Sequence, residues 1–248
     1  MAVTTRIVGV SHSPLNTAKS FLLIGERVVV VDGGTRGGER RIERALRDTG
    51  RSLSDVSLVL VTHGHPDHAG GAAAFRRLSG APIAADPREI PYLERRERAP
   101  ATPTGLAGRL FLYTPLPHEA FEPFAPDVLV DHAFDLRAYG VDAWVHRSGG
   151  HTKGSLSVVV RDTGDVIAAD LIAGGIGIGG IMFHGRVIDP PFHDDISRVH
   201  AAVAELLAVE GIHTFHVCHG GPLRPRDVDR WLSRATRSLC DREKGDVR

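Results

Sequence analysis

A short buried strand is predicted to run directly into a cluster of potential metal ligands. Residues 55–61 read DVSLVLV, a run that is apolar on both faces and rich in β-branched residues, as is typical of a strand covered on both sides in an α/β fold. His63, His65, Asp67 and His68 follow within six residues, where a loop can turn all four side chains toward one point. Because imidazole and carboxylate groups bind transition metals, the sequence predicts a metal-binding loop here rather than a polar turn with solvated histidines.

The rest of the chain alternates between strand-like and helix-like segments. Apolar runs predict strands at residues 5–10, 20–24, 27–31, 55–61, 82–85, 141–146, 156–161, 166–169 and 213–217. Helical spacing of apolar residues predicts helices at residues 39–49, 70–78, 194–209 and 225–239. Because no Pro/Ser-rich linker separates the two halves, we expect one α/β domain over residues 1–248, with sheet in the middle and helices outside.

Two stretches break this alternation. Residues 87–127 contain eight prolines and no regular period, which predicts a lid or a pocket-forming insertion, with a flexible insertion as the alternative. Residues 174–180 read GGIGIGG, superficially like a phosphate-binding loop. A dinucleotide-binding loop should open a helix, whereas residues 182–191 are predicted to be irregular, so we interpret the glycine-rich stretch as a flexible strand end beside an opening.

Charge and hydropathy limit the partners of this chain. Its 30 Lys and Arg residues balance its 30 Asp and Glu residues, which argues against nucleic acid or an anionic membrane surface as the main partner. The longest apolar runs fall far short of the roughly 20 residues of a transmembrane helix. The first residues, MAVTTRIVGV, do not read as a secretory signal, so we expect a cytoplasmic protein with a small-molecule substrate. No sequence pattern indicates an oligomeric state.

Three further potential ligands occupy comparable positions. His151, Asp170 and His219 each lie where a predicted strand gives way to a loop. Seven donors are therefore expected beside one sheet edge. A catalytic zinc ion takes three protein ligands plus water, so two such ions need about six or seven protein donors. The donor count fits a centre with two metal ions.

The order of these residues resembles that of the metallo-β-lactamase fold superfamily of hydrolases. The superfamily's HxHxDH loop, later single His, bridging Asp and final His have counterparts here in the same order, and the segments VDGG, GHTKGS and CHG also match its pattern. The resemblance extends over about residues 5–225, with residues 87–127 unmatched. It implies a four-layer αββα sandwich, in which two mixed sheets lie face to face between outer helices and the metal ions occupy a groove at one edge.

The resemblance also implies how the seven ligands are shared between two ions. One ion would be held by His63, His65 and His151, the other by Asp67, His68 and His219, and Asp170 would bridge them. The implied cofactors are two Zn2+ per chain, although iron and manganese accept the same donor types.

This centre predicts a hydrolase. Two neighbouring cations lower the pKa of a shared water toward about 7, so that a bridging hydroxide is available as the nucleophile at neutral pH. Asp67 would orient that water or move a proton to the leaving group. Lactamases replace or lack the bridging carboxylate, whereas Asp170 is present here as in the lactonase-like and glyoxalase-II-like branches. We therefore expect a zinc-dependent hydrolase of a small ester, lactone or thioester.

Other functions stay open at this point. β-Lactam hydrolysis and phosphodiester hydrolysis are alternatives within the same fold, and a non-catalytic metal-binding protein is the alternative of another class. An electron-transfer role is disfavoured, because the branch that uses iron in this way replaces a loop histidine by an acid and His65 is intact.

Several neighbouring residues have weaker assignments. His184, His193 and Phe183 follow Asp170 and are the candidate substrate contacts. Ser155 and Cys218 each lie close to a predicted ligand, and we interpret both as packing or hydrogen-bonding residues rather than nucleophiles.

Overall fold

Short strands and helices make up the computed structural model, which describes residues 4–12, 18–176 and 182–245. The strands are β1 (Arg6–Ser11), β2 (Lys19–Ile24), β3 (Val28–Val31), β4 (Val56–Leu60), β5 (Ile83–Ala85), β6 (Thr102–Pro103), β7 (Val128–Leu129), β8 (Phe134–Asp135), β9 (Ala143–His146), β10 (Ser157–Val160), β11 (Asp165–Ile167), β12 (Ala173–Ile176), β13 (Met182–Ile188), β14 (Phe192–His193) and β15 (Thr214–His216). The α-helices are α1 (Glu39–Asp48), α2 (Pro66–Ala69), α3 (Ala72–Ser79), α4 (Ile90–Leu93), α5 (Gly105–Phe111), α6 (Ile196–Leu207) and α7 (Pro225–Gly245).

Two mixed sheets form the centre of the fold. The first has the strand order β1-β2-β3-β4-β5-β7, antiparallel from β1 to β3 and parallel from β3 to β7. The second has the order β15-β11-β10-β9-β8 and is antiparallel except for the parallel pair β11 and β15. The strands β3, β4 and β5 therefore end at the same edge of the first sheet, and β9, β11 and β15 run in one direction in the second.

Apolar side chains divide the molecule into four layers. Leu58 and Val158 belong to a buried cluster between the two sheets. Leu46 of α1 lies in a second cluster on the outer face of the first sheet, and Leu206 of α6 lies in a third on the outer face of the second sheet. The αββα sandwich expected from the sequence is confirmed.

Strand β4 is covered on both faces, as its composition predicted. Val56 and Val59 face the cluster beneath the helices, whereas Leu58 and Leu60 face the cluster between the sheets. A strand with both faces buried carries apolar residues at successive positions. Its carboxyl end therefore opens directly from the core into the polar loop.

Residues 182–191 were predicted to be irregular, which is wrong for residues 182–188. β13 (Met182–Ile188) pairs antiparallel with β12 in a two-stranded sheet. This strand lacks hydrophobic alternation, so pairing with β12 rather than its own hydropathy accounts for it. Residues 177–180 of the glycine-rich stretch lie outside the described residues.

The structure shows how the helix predicted at 70–78 is divided and how the stretch 87–127 is joined to the rest of the fold. Helix α3 (Ala72–Ser79) follows a separate short helix, α2, with Gly70 and Gly71 between them. In the stretch 87–127, β6 pairs antiparallel with β14 and thereby joins this stretch to the chain after β13. Within the described ranges, no helix is both long and apolar enough to cross a membrane.

Candidate metal centre

The loop after β4 carries four of the predicted ligands. β4 ends at Leu60, and Pro66 begins α2 at the first helical position, where its missing N–H is tolerated. His63 and His65 lie in the turn between these elements, while Asp67 and His68 lie in the short helix. The turn and the helix together bring the four side chains to one end of the strand.

The first group of donors consists of His63, His65 and His151. Their candidate ligand atoms all lie within 4.8 Å of one another, and all three side chains are buried. His65 Nδ1 and His151 Nε2 are 3.0 Å apart. Nitrogen ligands of a tetrahedral zinc ion, each at about 2.0–2.1 Å, are about 3.3 Å from each other. The spacing therefore fits two nitrogens that share one ion.

The second group consists of Asp67, His68 and His219. His219 Nε2 lies 3.4 Å from Asp67 Oδ2, and His68 Nε2 lies 3.7 Å from the same oxygen. Asp170 Oδ2 is 3.0 Å from His219 Nε2 and 3.4 Å from His68 Nε2. The same oxygen is 3.7 Å from His151 Nε2 of the first group. Asp170 thus lies between the two groups, in the position expected of a bridging ligand.

Hydrogen bonds orient the imidazoles of His63 and His68 from behind. His68 Nδ1 bonds to Asp32 Oδ2 at 2.8 Å, and Asp32 also accepts from the N–H and the hydroxyl of Thr62. The Thr62 hydroxyl, which donates to Asp32, is 3.0 Å from His63 Nδ1 and can accept from it. In the neutral imidazoles both Nδ1 atoms then carry the proton, which leaves the Nε2 lone pairs facing the centre.

His65 faces the centre with its other ring nitrogen, Nδ1. Its Nε2 lies 3.2 Å from the carbonyl oxygen of Pro100. Because a carbonyl only accepts, Nε2 carries the proton and Nδ1 presents its lone pair to the centre. The stretch 87–127 therefore supplies a backbone group that sets the tautomer of one predicted ligand.

The unpaired atoms fit a cation. Among the described residues, His63 Nε2, His68 Nε2 and Asp170 Oδ1 are buried without a hydrogen-bond partner. Leaving buried polar atoms unpaired costs free energy, on the order of 1–3 kcal/mol each. Metal ions at the two groups would compensate these atoms, and the imidazole and carboxylate donors suit zinc, iron or manganese.

The two groups differ in protonation. Burial, together with neighbouring imidazoles, lowers the pKa values of His63 and His151 well below their usual range, and burial lowers the pKa of His65 to about 4. Burial also lowers the pKa of His219, but the nearby carboxylate of Asp170 has the larger effect and raises the pKa of His219 to about 9. Three carboxylates, that of Asp170 foremost, likewise outweigh burial at His68 and raise its pKa well above the usual range. Without metal, the three imidazoles of the first group are therefore neutral, whereas those of His68 and His219 carry a proton beside Asp170.

The centre is closed on one side and open on the other. Phe192 is buried, with its ring centroid 4.9 Å from that of His65 and 5.6 Å from that of His151. Phe111 in turn stacks on Phe192, with ring centroids 5.9 Å apart. By contrast, the side chains of Asp67 and His219 are 34% and 23% exposed. Solvent therefore reaches the second group and not the first.

The candidate substrate contacts have separate outcomes. His193 Nδ1 pairs with the hydroxyl of Thr104 at 2.8 Å, which joins β14 to the stretch 87–127. The side chains of Phe183 and His184 lie outside the described part of the chain. A substrate role for all three stays a prediction.

The interpretation of Ser155 and Cys218 agrees with the structure. The Ser155 hydroxyl accepts from the N–H of Thr152, next to His151, at 2.8 Å. Cys218 is buried, and burial raises the pKa of its thiol to about 12, which disfavours the reactive thiolate.

Sequence reasoning missed two buried carboxylates beside the centre. Asp32 follows β3 and bonds to His68, and Glu89 follows β5 and bonds to the N–H of Gly64 at 2.8 Å. Both strands are parallel neighbours of β4, so their carboxyl ends share its edge. In the sequence, both could have been found as carboxylates that come shortly after a strand. Recognising them would also have required knowing that these two strands pair with β4.

Comparisons with known proteins agree with this geometry. The family model described as "Metallo-beta-lactamase superfamily" matches residues 15–212. The probable metallo-hydrolase MJ0888 of Methanocaldococcus jannaschii is 26% identical over 156 residues, which cover 62% of this chain and 68% of that protein. The probable metallo-hydrolase YybB of Bacillus subtilis is 33% identical over 81 residues, 32% of this chain and 34% of that protein. This last match spans only about a third of the relative.

Solved structures share the fold. The metallo-beta-lactamase family protein TTHA1429 from Thermus thermophilus superposes with a TM-score of 0.64 at 22% identity, covering 95% of this chain and 80% of that one. The B3 metallo-beta-lactamase BLEG-1 superposes with a TM-score of 0.64 at 18% identity, covering 90% and 95%. At these identities the likeness concerns the fold alone.

Proposed function

Because the chain belongs to the metallo-β-lactamase superfamily, we propose that it is a hydrolase that uses two divalent metal ions, zinc by preference, to cleave a small ester, lactone or thioester. The ligands of one ion are His63, His65 and His151, those of the other are Asp67, His68 and His219, and Asp170 belongs to both. The metallo-hydrolase names of the relatives support the reaction class.

One observation carries the proposal. Seven donors from both sheets converge, and Asp170 Oδ2 lies within 3.7 Å of nitrogens from both groups. His63 Nε2 and Asp170 Oδ1 are buried and have no hydrogen-bond partner among the described residues. A purely structural site is normally closed by four ligands, whereas two groups of three plus one shared carboxylate leave room for solvent. This arrangement supports a catalytic centre over a structural one.

The side chains of the centre have separate roles in the proposed reaction. Bound divalent cations would supply Lewis acidity and make hydroxide available near neutral pH. Asp67 is the exposed carboxylate of the centre, so it can hold a proton from the attacking water and deliver it to the leaving oxygen or sulfur. His65 and His68 keep their lone pairs on the centre because Pro100 and Asp32 accept their other N–H groups.

The exposure of the centre supports a substrate that approaches from one direction. Asp67 and His219 are the partly exposed members, while Phe192 covers His65 and His151. The scissile carbonyl would therefore enter on the Asp67 and His219 side. His184, His193 and Phe183 stay our candidates for holding the rest of the substrate.

The alternatives differ in measurable ways. β-Lactam hydrolysis is compatible with the fold shared with BLEG-1, but Asp170 argues for the ester, lactone and thioester branches. A phosphodiester would also bind two cations, yet the balanced charge of the chain does not favour nucleic acid. A metal-binding protein without activity is the alternative of another class.

The test combines elemental analysis with a substrate panel of lactones, thioesters, β-lactams and phosphodiesters. We expect about two metal ions per chain and turnover on a lactone or thioester. His151→Ala and Asp170→Asn should lower both metal content and turnover. The control His132→Ala removes an imidazole whose side chain is 75% exposed and should change neither.

Each other outcome has a definite meaning. Less than one ion per chain, or variants with wild-type turnover, would refute the proposal. Preference for a β-lactam or phosphodiester would select that alternative. A loaded centre that turns over no panel member would favour the non-catalytic alternative.

A further inference from the structure

A second buried carboxylate lies directly behind the first group of donors. Glu89 ends a single 3-10 turn, Pro87–Glu89, that follows β5. Its side chain is fully buried. Because β5 lies beside β4 in the parallel part of the sheet, this turn emerges next to the loop that carries His63 and His65. The proposed function gives Glu89 no role.

Glu89 joins two loops that are distant in sequence. Its Oε2 accepts from the N–H of Gly64, the residue between His63 and His65, at 2.8 Å. Its Oε1 accepts from the N–H of Gly154 and from the hydroxyl of Thr152, both at 2.7 Å. Thr152 directly follows His151 in the chain. One carboxylate therefore holds the backbone on both sides of the first donor group.

The two glycines allow this close approach. A Cβ atom at Gly154 would lie 2.8 Å from Glu89 Cγ, closer than side-chain carbons come. A Cβ atom at Gly64 would lie 2.6 Å from Tyr92 Cβ and 3.3 Å from Glu89 Oε2. At Gly64 and Gly154 the two loops thus lack a side chain, which lets both backbone N–H groups approach the Glu89 carboxylate.

We propose that Glu89 is a positioning residue for the metal ion held by His63, His65 and His151, because it fixes the distance between the two loops that supply these ligands. The inference rests on the metal centre of the proposed function. Glu89 does not touch the ion. It acts through Gly64, Thr152 and Gly154, and groups that act behind the ligands in this way typically change metal affinity by 10–100-fold.

A glutamine at this position cannot serve all three donors. Gln has one carbonyl oxygen and one NH2 group, so either Gly64 N–H or Gly154 N–H would face another donor. Thr152 supplies a milder change, since Thr152→Val removes one hydroxyl, which donates to Glu89 Oε1 and also lies 2.8 Å from Ser155 Oγ. Thr152→Ser keeps that hydroxyl and serves as its matched control.

Asp86 provides the control for loss of a buried carboxylate. It lies three residues before Glu89, is fully buried, and accepts from the guanidinium groups of Arg88 and Arg147. Its hydrogen bonds reach neither the N–H of Gly64 nor that of Gly154. Asp86→Asn therefore perturbs the same turn without releasing the loops from Glu89.

The experiment titrates Co2+ into metal-free full-length protein and follows visible absorbance, which reports the coordination of cobalt independently of activity. We expect Glu89→Gln to lower the affinity for one of the two Co2+ ions by about 10–100-fold and to change the absorbance spectrum of that ion. The affinity for the other ion should stay the same. Thr152→Val should lower the affinity for the same ion by a smaller factor, whereas Thr152→Ser and Asp86→Asn should bind Co2+ as the wild type does. Far-ultraviolet circular dichroism checks that each variant is folded.

Different failures point to different errors. Wild-type Co2+ affinity in folded Glu89→Gln, or an equal loss in Asp86→Asn, would overturn the positioning role and leave the metal centre intact. If the wild type binds no Co2+, both this inference and the proposed centre are wrong. If Glu89→Gln does not fold, the Thr152 pair decides, and equal affinities for Thr152→Val and Thr152→Ser would overturn the inference.

Discussion

Replacing Asp32 with Asn tests whether a buried hydrogen bond keeps His68 ready to bind metal. Asp32 accepts from the N–H of Thr62 at 2.7 Å and from Nδ1 of His68 at 2.8 Å. An Asn whose oxygen serves Thr62 presents its NH2 group to His68, where two donors would meet. To bind metal through Nε2, neutral His68 must keep its proton on Nδ1, and Asp32→Asn opposes that tautomer.

The structure sets the size of the effect. The hydrogen bond between Asp32 and His68 is buried and charge-assisted, because nearby carboxylates hold the pKa of His68 above its usual range. Loss of such a bond costs about 1.5–3 kcal/mol. Asp32 has a φ of 66°, a left-handed conformation that Asn also adopts readily, so backbone strain should add little. We expect the metal-free variant to unfold about 2 kcal/mol more easily, with metal affinity at His68 reduced about 10–100-fold.

Urea unfolding of the chelator-treated protein measures the first effect and calorimetric Zn2+ titration the second. Nitrogen-15 NMR of the histidine rings reports the tautomer directly. The control Asp165→Asn alters another aspartate–histidine hydrogen bond, in which Asp165 Oδ1 lies 3.1 Å from His216 Nε2. Neither residue belongs to the seven donors. A variant of Asp32 that binds two Zn2+ with wild-type affinity and keeps the proton on Nδ1 would refute the reasoning.

Three further predictions follow from burial. Burial raises the pKa of Glu89 from 4.5 to about 7, so the folded state binds the extra proton between these values and stability falls as pH rises across them. Relative to Glu89→Gln, the metal-free wild type should lose about 3 kcal/mol of unfolding free energy between pH 4.5 and 7.5, and a constant difference in urea unfolding would contradict this. Phe192→Ala should cost about 3 kcal/mol and speed removal of metal by a chelator, since Phe192 covers His65 and His151; unchanged removal would show that the ring does not shield them. Cys218, whose pKa burial raises to about 12, should resist alkylation at pH 8 until the protein unfolds, as peptide mass spectrometry can check; modification of the folded protein would contradict its burial.

The seven donors were predictable because each lies just after a strand or within one loop. His63, His65, Asp67 and His68 are close in sequence, so their proximity in space needs no long-range information. The other three donors follow strands of the second sheet that run in one direction. The resemblance to a known family supplied their pairing with the loop. Ligation itself stays a prediction that the metal titrations test.

Asp32 and Glu89 could not be found in the same way, because their partners are distant in sequence. Glu89 is 25 residues from Gly64 and 63 from Thr152, and it begins a stretch with no regular period. The sequence analysis noted Asp32 only as part of the segment VDGG, although its left-handed backbone conformation lets its carboxylate reach Thr62 and His68. Hydrophobic periodicity predicts which strands form, but the contacts behind the ligands depend on the order in which the strands pair.

The same limit explains where specificity should be sought. The stretch 87–127 was expected to form a lid or a pocket wall. It contacts the first donor group through Pro100, which lies against His65, and through Glu89, which bonds to both ligand loops, and its Phe111 packs against Phe192. These contacts cover the first donor group, which burial keeps neutral. The exposed carboxylate and the charged histidine belong to the second group, so proton transfer and substrate entry both favour the side of Asp67 and His219. On this reasoning, residues 87–127 would hold a metal ion at the first donor group in place, and discrimination among substrates would fall to residues around Asp67 and His219.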